Sequence, residues 1–170
     1  MLRAAHLLLI CSGVLHRAFS VFILNEAGEV LLQQRAAGKR LWPRYWSNSC
    51  CSHPRLGESL EDATRRRLRE ELNLVCELQF VYKFEYRAQY DATGAEHELC
   101  SVYVGRTAEE ARPNVAEIEA LRWVAPATLQ REMADPDAAR FTPWFVLEWQ
   151  RIVRDHQDAL HALQAPQAAR

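Results

Sequence analysis

Apolar positions from residue 18 onward alternate between two periods, which divides the chain into strands and helices. Ala18 to Leu24 is a continuous apolar run broken only by Ser20, and it predicts a buried strand. Asn25-Glu26-Ala27-Gly28 is a turn, and Val30 to Gln34 returns as a second strand. Arg44 to Ser49 reads as a further extended piece opened by Pro43. Ser59 then has the character of a helix N-cap with Asp62 in the capping-box position, and the helix is expected to run to about Leu72 with Asn73 as its stop. Strands follow at about Leu78 to Arg87 and Leu99 to Arg106, joined through Asp91-Ala92-Thr93-Gly94. Ala120 to Val124 is another short strand, Pro126 opens a helix, and Trp144 to about Leu163 reads as one long helix after Thr142-Pro143. No internal repeat is visible. This order predicts an α/β fold, a mixed sheet flanked by helices, with an N-terminal segment at 1–15, one domain over 16–163 and a frayed tail at 164–170.

Composition narrows the functional classes. A length of 170 residues with 49% hydrophobic and 25% charged residues is that of one globular domain, and 21 basic against 22 acidic residues gives a net charge of −1. No nucleic-acid partner is implied, and the one basic cluster, Arg65 to Arg67 with Arg69, suits a small anion. Five cysteines without framework spacing favour reduced thiols and a cytoplasmic location. Arg3 and the apolar residues after it resemble a short signal peptide, but His6 interrupts the run, and nothing approaches the ~20 apolar residues of a membrane span. A monomer acting on a small molecule is the expectation.

One helix carries charges where its apolar stripe should widen. Leu60, Thr64, Leu68 and Leu72 form one row, and the adjacent row is Ala63, Arg67 and Glu71. Taken alone, Arg67 and Glu71 at i, i+4 read as an ordinary helix ion pair worth tenths of a kcal/mol. The surroundings favour more. Ser52-x5-Glu58-x7-Arg66-Arg67-Leu68-Arg69-Glu70-Glu71-Leu72-Asn73-Leu74 resembles the Nudix box, with Ser52 and Asn73 in place of glycines and Arg67 in place of a glutamate. In that family the loop-helix-loop holds divalent cations against a diphosphate. The resemblance makes Glu71 a Mg²⁺ carboxylate shared with the substrate's phosphate oxygens. Arg67, with its planar fork, then becomes a direct phosphate ligand.

Flanking segments sharpen the resemblance. H-R-A-F-S-V-F at 16–22, L-L-Q-Q-R-A-A-G-K at 31–39, W-P-R-Y-W-S-N-S-C-C-S-H-P at 42–54, E-Y-R-A at 85–88, E-H-E at 96–98 and T-P-W-F at 142–145 occur in that order. Together they look like type I isopentenyl diphosphate isomerase, a Nudix-fold family, which implies an α/β/α sandwich and transposition of a carbon–carbon double bond. That chemistry requires a proton added at one carbon and another removed two bonds away, through a tertiary carbocation. By the resemblance, Cys51 and Glu98 are the two proton-transfer groups, Tyr86 assists Glu98, and Trp144 is an aromatic wall facing the cation. Arg35, Lys39 and Arg67 become the diphosphate clamp. His6, His16, His53, Glu96 and Glu98 become ligands of one Mn²⁺-, Zn²⁺- or Fe²⁺-type ion, a donor mixture that suits such metals. Trp42 and Trp46 read as core or pocket lining, and Cys50, on the other side of an extended segment, as a structural thiol. A Nudix diphosphohydrolase and a non-catalytic diphosphate-binding domain are the alternatives.

Overall fold

The computed structural model describes residues 13–135 and 140–164. His6 lies outside the described residues, as does the tail beyond 164. Strands are β1 (His16–Leu24), β2 (Val30–Arg35), β3 (Trp46–Ser47), β4 (Cys50–Ser52), β5 (Leu78–Asp91), β6 (Gly94–Arg106) and β7 (Ile118–Val124). Helices are α1 (Leu60–Leu72), α2 (Pro126–Ala134), α3 (Pro143–Asp155) and α4 (Gln157–Gln164). The sheet runs β3-β2-β1-β6-β5, with β4 also paired to β1 and β7 to β2. β1 and β6 are parallel and every other pairing is antiparallel, so the sheet is mixed.

Alternation along β1 divides the interior into two layers. Phe19, Val21 and Ile23 point to one face, where Ala63, Leu68 and Leu72 of α1 cover them. Ala18, Phe22 and Leu24 point to the other, against Leu129 of α2, Phe145, Trp149 and Ile152 of α3, and Leu160 of α4. The result is the expected α/β/α sandwich. α1 starts at Ser59, whose hydroxyl accepts from the Asp62 N–H. It stops at Asn73, which sits in the left-handed region with φ 54° while the Leu74 N–H returns to the Leu68 carbonyl. Asparagine tolerates that conformation better than other non-glycine residues, which is how this chain fills a position where the box has glycine.

Several elements differ from expectation. β5 and β6 form a hairpin of 14 and 13 residues with Ala92-Thr93 at its tip, where the Asp91 carboxylate accepts the Thr93 N–H at 2.6 Å. Glu96 and Glu98 therefore lie inside a strand rather than before one. The charged residues that disfavour a strand by propensity are tolerated because one face of that strand lines a polar cavity. The long C-terminal helix is two helices, interrupted at His156, whose backbone leaves helical values.

Where β2 diverges from β1, side chains replace the backbone ladder. Ser49 Oγ accepts from the Ile23 N–H at 2.8 Å and donates to the Leu31 carbonyl at 2.7 Å, joining the two strands as they separate. β4 enters the gap, setting Ser20 opposite Cys51 and Val21 opposite Cys50. Asn48 Nδ2 donates to the Cys50 carbonyl at 2.7 Å and the Val21 carbonyl at 3.3 Å, fixing β4 against β1. Ser47, Asn48 and Ser49 are fully buried, and their hydrogen bonds account for three polar side chains in the interior.

Candidate active site

A cavity of about 340 Å³ opens at the end of the sheet where β1, β4 and β6 meet. Cys51, His53, Glu96, Glu98, Tyr86, Trp144, Arg35, Lys39 and Arg67 all line it. They come from β2 and its following loop, β4 and its following loop, α1, the β5–β6 hairpin and α3, so sequence neighbours contribute little to the grouping. Glu71 is fully covered on α1 and reaches this group through Arg67, with which it forms a close ion pair.

The parallel register of β1 and β6 sets His16 directly opposite Glu98. His53 Nε2 lies 2.8 Å from Glu98 Oε1 and 3.1 Å from His16 Nε2, and His16 Nε2 lies 3.6 Å from Glu98 and 3.8 Å from Glu96 Oε2. All four donor atoms fall within 4.8 Å of one another. The Val14 carbonyl, 2.8 Å from His16 Nδ1, can only accept, so Nδ1 carries the proton and Nε2 turns a lone pair toward the cluster. Glu96 Oε2 is buried without a hydrogen-bond partner in the described structure, which a cation would supply. Two imidazoles and two carboxylates converging in this way fit a divalent transition ion. His97, on the opposite face of β6, instead meets Glu85 at 2.8 Å and the Gly13 carbonyl at 3.1 Å.

Electrostatics differ sharply among these groups. Burial and the neighbouring Glu98 push the Glu96 carboxyl up. Burial would also raise Glu98, but bonds from His16, His53 and Tyr86 outweigh it and hold that carboxyl down. Tyr86 Oη donates to Glu98 Oε2 at 2.8 Å. Burial pushes the Cys51 thiol up to about 12, against a lowering by Arg35, so it is S–H at neutral pH. Cys50 points into the α1 layer among Phe19, Val21 and Leu68, away from the cavity, as strand alternation requires.

The aromatic wall is held from behind. Trp144 Nε1 donates to Ser47 Oγ at 3.0 Å, Ser47 Oγ lies 2.9 Å from Thr142 Oγ1, and it donates to Asn48 Oδ1 at 2.9 Å. Because Asn48 also holds the Cys50 carbonyl, one buried network fixes the indole and the strand bearing Cys51 together. Trp42 packs edge-on to Trp144 at 5.1 Å. Trp46 lies outside this wall and carries the Arg122 guanidinium on its face.

The three expected phosphate ligands are present but engaged. Arg35 donates to the Trp42 and Leu41 carbonyls at 3.1 and 3.0 Å and lies 5.3 Å over the Trp144 ring. Lys39 pairs with Glu117, and Arg67 pairs with Glu71, with Glu70 at 2.9 Å and with Glu117 at 3.3 Å. Glu58 of the box grips Arg66 through two bonds of 2.7 and 2.8 Å, and that guanidinium draws its carboxyl down to about 2. Ser47, Asn48 and Glu117 escaped the sequence reading. Ser47 and Asn48 lay inside a quoted segment, but only the splay of β1 from β2 gives them partners, and a single glutamate before β7 carries no local signal.

Glu148, one turn beyond Trp144 on α3, is fully buried and touches Cys100 Sγ at 3.4 Å through one oxygen. Its other oxygen has no hydrogen-bond partner in the described structure, and burial pushes the carboxyl up from 4.5 to about 8. Between those values the native chain keeps a proton that the unfolded chain has released, so this group makes stability fall as pH rises through the window. Glu148→Gln should therefore gain melting temperature on the wild type as pH goes from about 4.5 to about 8, with a constant gap above. Parallel melting curves across that range would contradict this account.

A NUDIX domain model matches residues 14–145, most of the chain. The crystal structure of DR0079 from Deinococcus radiodurans has a similar fold, with TM-score 0.68 at 25% identity over 82% of this chain and 83% of that one. The sequence is 46% identical over 148 residues to isopentenyl-diphosphate Delta-isomerase 1 of Photorhabdus laumondii, covering 86% of this chain and 84% of that protein. It is 48% identical over 133 residues to the isopentenyl-diphosphate Delta-isomerase of Burkholderia multivorans, covering 78% and 75%. The chain thus belongs to the Nudix superfamily and, within it, to the isopentenyl-diphosphate Delta-isomerase family. No helix among the described residues is long and apolar enough to cross a membrane.

Proposed function

We propose that this protein interconverts isopentenyl diphosphate and dimethylallyl diphosphate by protonation and deprotonation, with Cys51 and Glu98 as the two proton-transfer groups. The observation that carries this reading is the joint exposure of Cys51, Glu98, Tyr86 and Trp144 to one cavity that Arg35, Lys39, Arg40 and Arg67 also line. A hydrolase of the same fold has no use for a thiol and an indole at that place. One of the two groups delivers a proton to the terminal methylene, and the other removes one from the carbon two bonds away, so the substrate's composition and charge are unchanged. Between those events the positive charge sits on a tertiary carbon. The Trp144 face offers that carbon cation–π attraction of ~0.5–2 kcal/mol, and the Ser47 bond keeps the ring oriented. Tyr86 holds the Glu98 carboxylate in line. Leu41 and Trp144, the latter backed by Trp42, give the cavity an apolar side that offers the cation no water-binding groups.

His16, His53, Glu96 and Glu98 would hold a Mn²⁺-, Zn²⁺- or Fe²⁺-type ion, and Glu71 would meet a Mg²⁺ entering with the diphosphate only once Arg67, which now covers it, turns to the phosphate. The first ion would neutralise the paired carboxylates and hold Glu98 in orientation. Arg35, Lys39 and Arg67 bind the diphosphate oxygens, which anchors the five-carbon chain with its double bond between the two proton-transfer groups. The substrate in this reading is a small molecule, and we place the enzyme in the cytoplasm as a monomer.

The direct test supplies isopentenyl diphosphate with Mg²⁺ and Mn²⁺. Dimethylallyl diphosphate should accumulate with no phosphate released, and phosphate release without isomerisation would favour the hydrolase instead. Arg67→Glu, which restores the glutamate of the box at that position, places a fourth carboxylate beside Glu70, Glu71 and Glu117. It should raise KM for isopentenyl diphosphate by at least about tenfold through like-charge repulsion without creating phosphate release. Phosphate release with isomerisation intact would show the role assigned to Arg67 to be wrong.

A further inference from the structure

Glu117 stands at the end of the cavity just before β7, with its backbone carbonyl accepting from the Ala36 N–H at 2.9 Å and its N–H donating to the Asn114 carbonyl at 2.9 Å. Both ends of its peptide are thus tied to the fold. Its carboxylate lies between the two cations of the clamp, one oxygen on Lys39 Nζ and the other 3.3 Å from Arg67 Nη2. Arg67 is held from behind by Glu71 as well. In this arrangement Lys39 and Arg67 face three carboxylates, Glu70, Glu71 and Glu117, and their side chains are already committed to carboxylate oxygens. Burial would raise the Glu117 carboxyl, but the Lys39 ammonium outweighs it and keeps the group ionised at neutral pH.

We propose that Glu117 is a specificity-determining residue that makes the site take a diphosphate complexed with a divalent cation in preference to the bare anion. The inference rests on the diphosphate reading above and adds a role for a residue outside the expected clamp. A bare diphosphate would have to draw Lys39 and Arg67 off Glu117 and would leave that carboxylate facing phosphate oxygens. Such like-charge juxtaposition is costly in a partly buried site. A divalent cation bound to the phosphate oxygens removes most of the conflict, because Glu117 then faces a ligand whose charge is largely cancelled. The carboxylate therefore penalises one ionic form of the ligand far more than the other. Its carboxylate also holds the two cations near each other, where mutual repulsion would separate them.

The test is calorimetric titration of inorganic pyrophosphate into wild type and Glu117→Gln in dialysed buffer, with and without Mg²⁺. Wild type should bind the magnesium complex at least about tenfold more tightly than the free anion. Glu117→Gln, which keeps the shape and removes the charge, should bind free pyrophosphate on the order of tenfold more tightly than wild type, the equivalent of about 1.4 kcal/mol. The advantage conferred by Mg²⁺ should shrink correspondingly. Free pyrophosphate binding that is unchanged or weaker in a variant with a normal melting curve would overturn the inference and make Glu117 a mere spacer between Lys39 and Arg67. Glu117→Ala supplies the same comparison if the amide variant does not fold. Wild type that binds pyrophosphate in neither form would instead sink the diphosphate reading, and this inference with it.

Discussion

Cys51→Ala should lose about 10²–10⁴-fold in turnover, the usual scale for a positioned acid or base, while Cys50→Ala stays within a few-fold of wild type. The two sulfurs are adjacent in sequence yet lie in different layers of the sandwich. Cys51 faces the cavity with Tyr86, Glu98 and Trp144, and Cys50 is enclosed by Phe19, Val21, Ala63 and Leu68 beneath α1. Losing the Cys51 thiol at the cavity wall removes few contacts, so the fold and the metal content should persist. Cys50→Ala leaves a small void in the other layer and should lower the melting temperature without touching the chemistry. An epoxide analogue of the substrate, whose ring opens on protonation, should attach to Cys51 in the wild type and leave Cys50 unmodified. Mass spectrometry showing the label on Cys50, or equal turnover losses in the two variants, would move the proton transfer elsewhere.

His53→Ala should abolish both the tightly held transition ion and the isomerisation. His53 Nε2 is the atom closest to both His16 and Glu98, at 3.1 and 2.8 Å, so its loss opens the centre of the donor set. A partner that only orients a ligand already controls metal affinity by about 10–100-fold, and a direct ligand should exceed that. Elemental analysis of the purified variant measures the ion, and the isomerase assay measures the chemistry. Full activity in metal-stripped enzyme supplied only with Mg²⁺, with no other ion detectable, would remove the basis for this prediction.

The elements were legible in the sequence because the unbroken apolar run of β1 marks a buried strand and Leu60, Thr64, Leu68 and Leu72 mark one face of a helix. Which side chains of β1 enter which layer, Phe19, Val21 and Ile23 or Ala18, Phe22 and Leu24, only the packed structure shows. The hairpin was less legible where function intrudes. Glu96-His97-Glu98 has the composition of a solvated turn, and only the cavity on one face explains its place in a strand. The candidate site was legible through residue types in a known order, which is a different kind of information from periodicity. What the pattern could not supply was everything that depends on two distant segments meeting. Ser47 gains Trp144 across 97 positions, and Lys39 gains Glu117 across 78. No local rule marks either partner.

The parallel pairing of β1 with β6 has a consequence for how the molecule is made. His16 and Glu98 become neighbours only when a strand from the start of the domain closes on one 82 residues later. Closing so long a loop precedes any reward from the contacts it brings. A chain emerging from the ribosome therefore exposes the apolar faces of β1 before β6 exists to cover its edge, and no fragment ending within β5 can assemble the metal-ligand cluster. Ion capture should accordingly report completion of the sheet, and a refolding experiment in which it coincided with formation of α1 alone would place the order of assembly elsewhere.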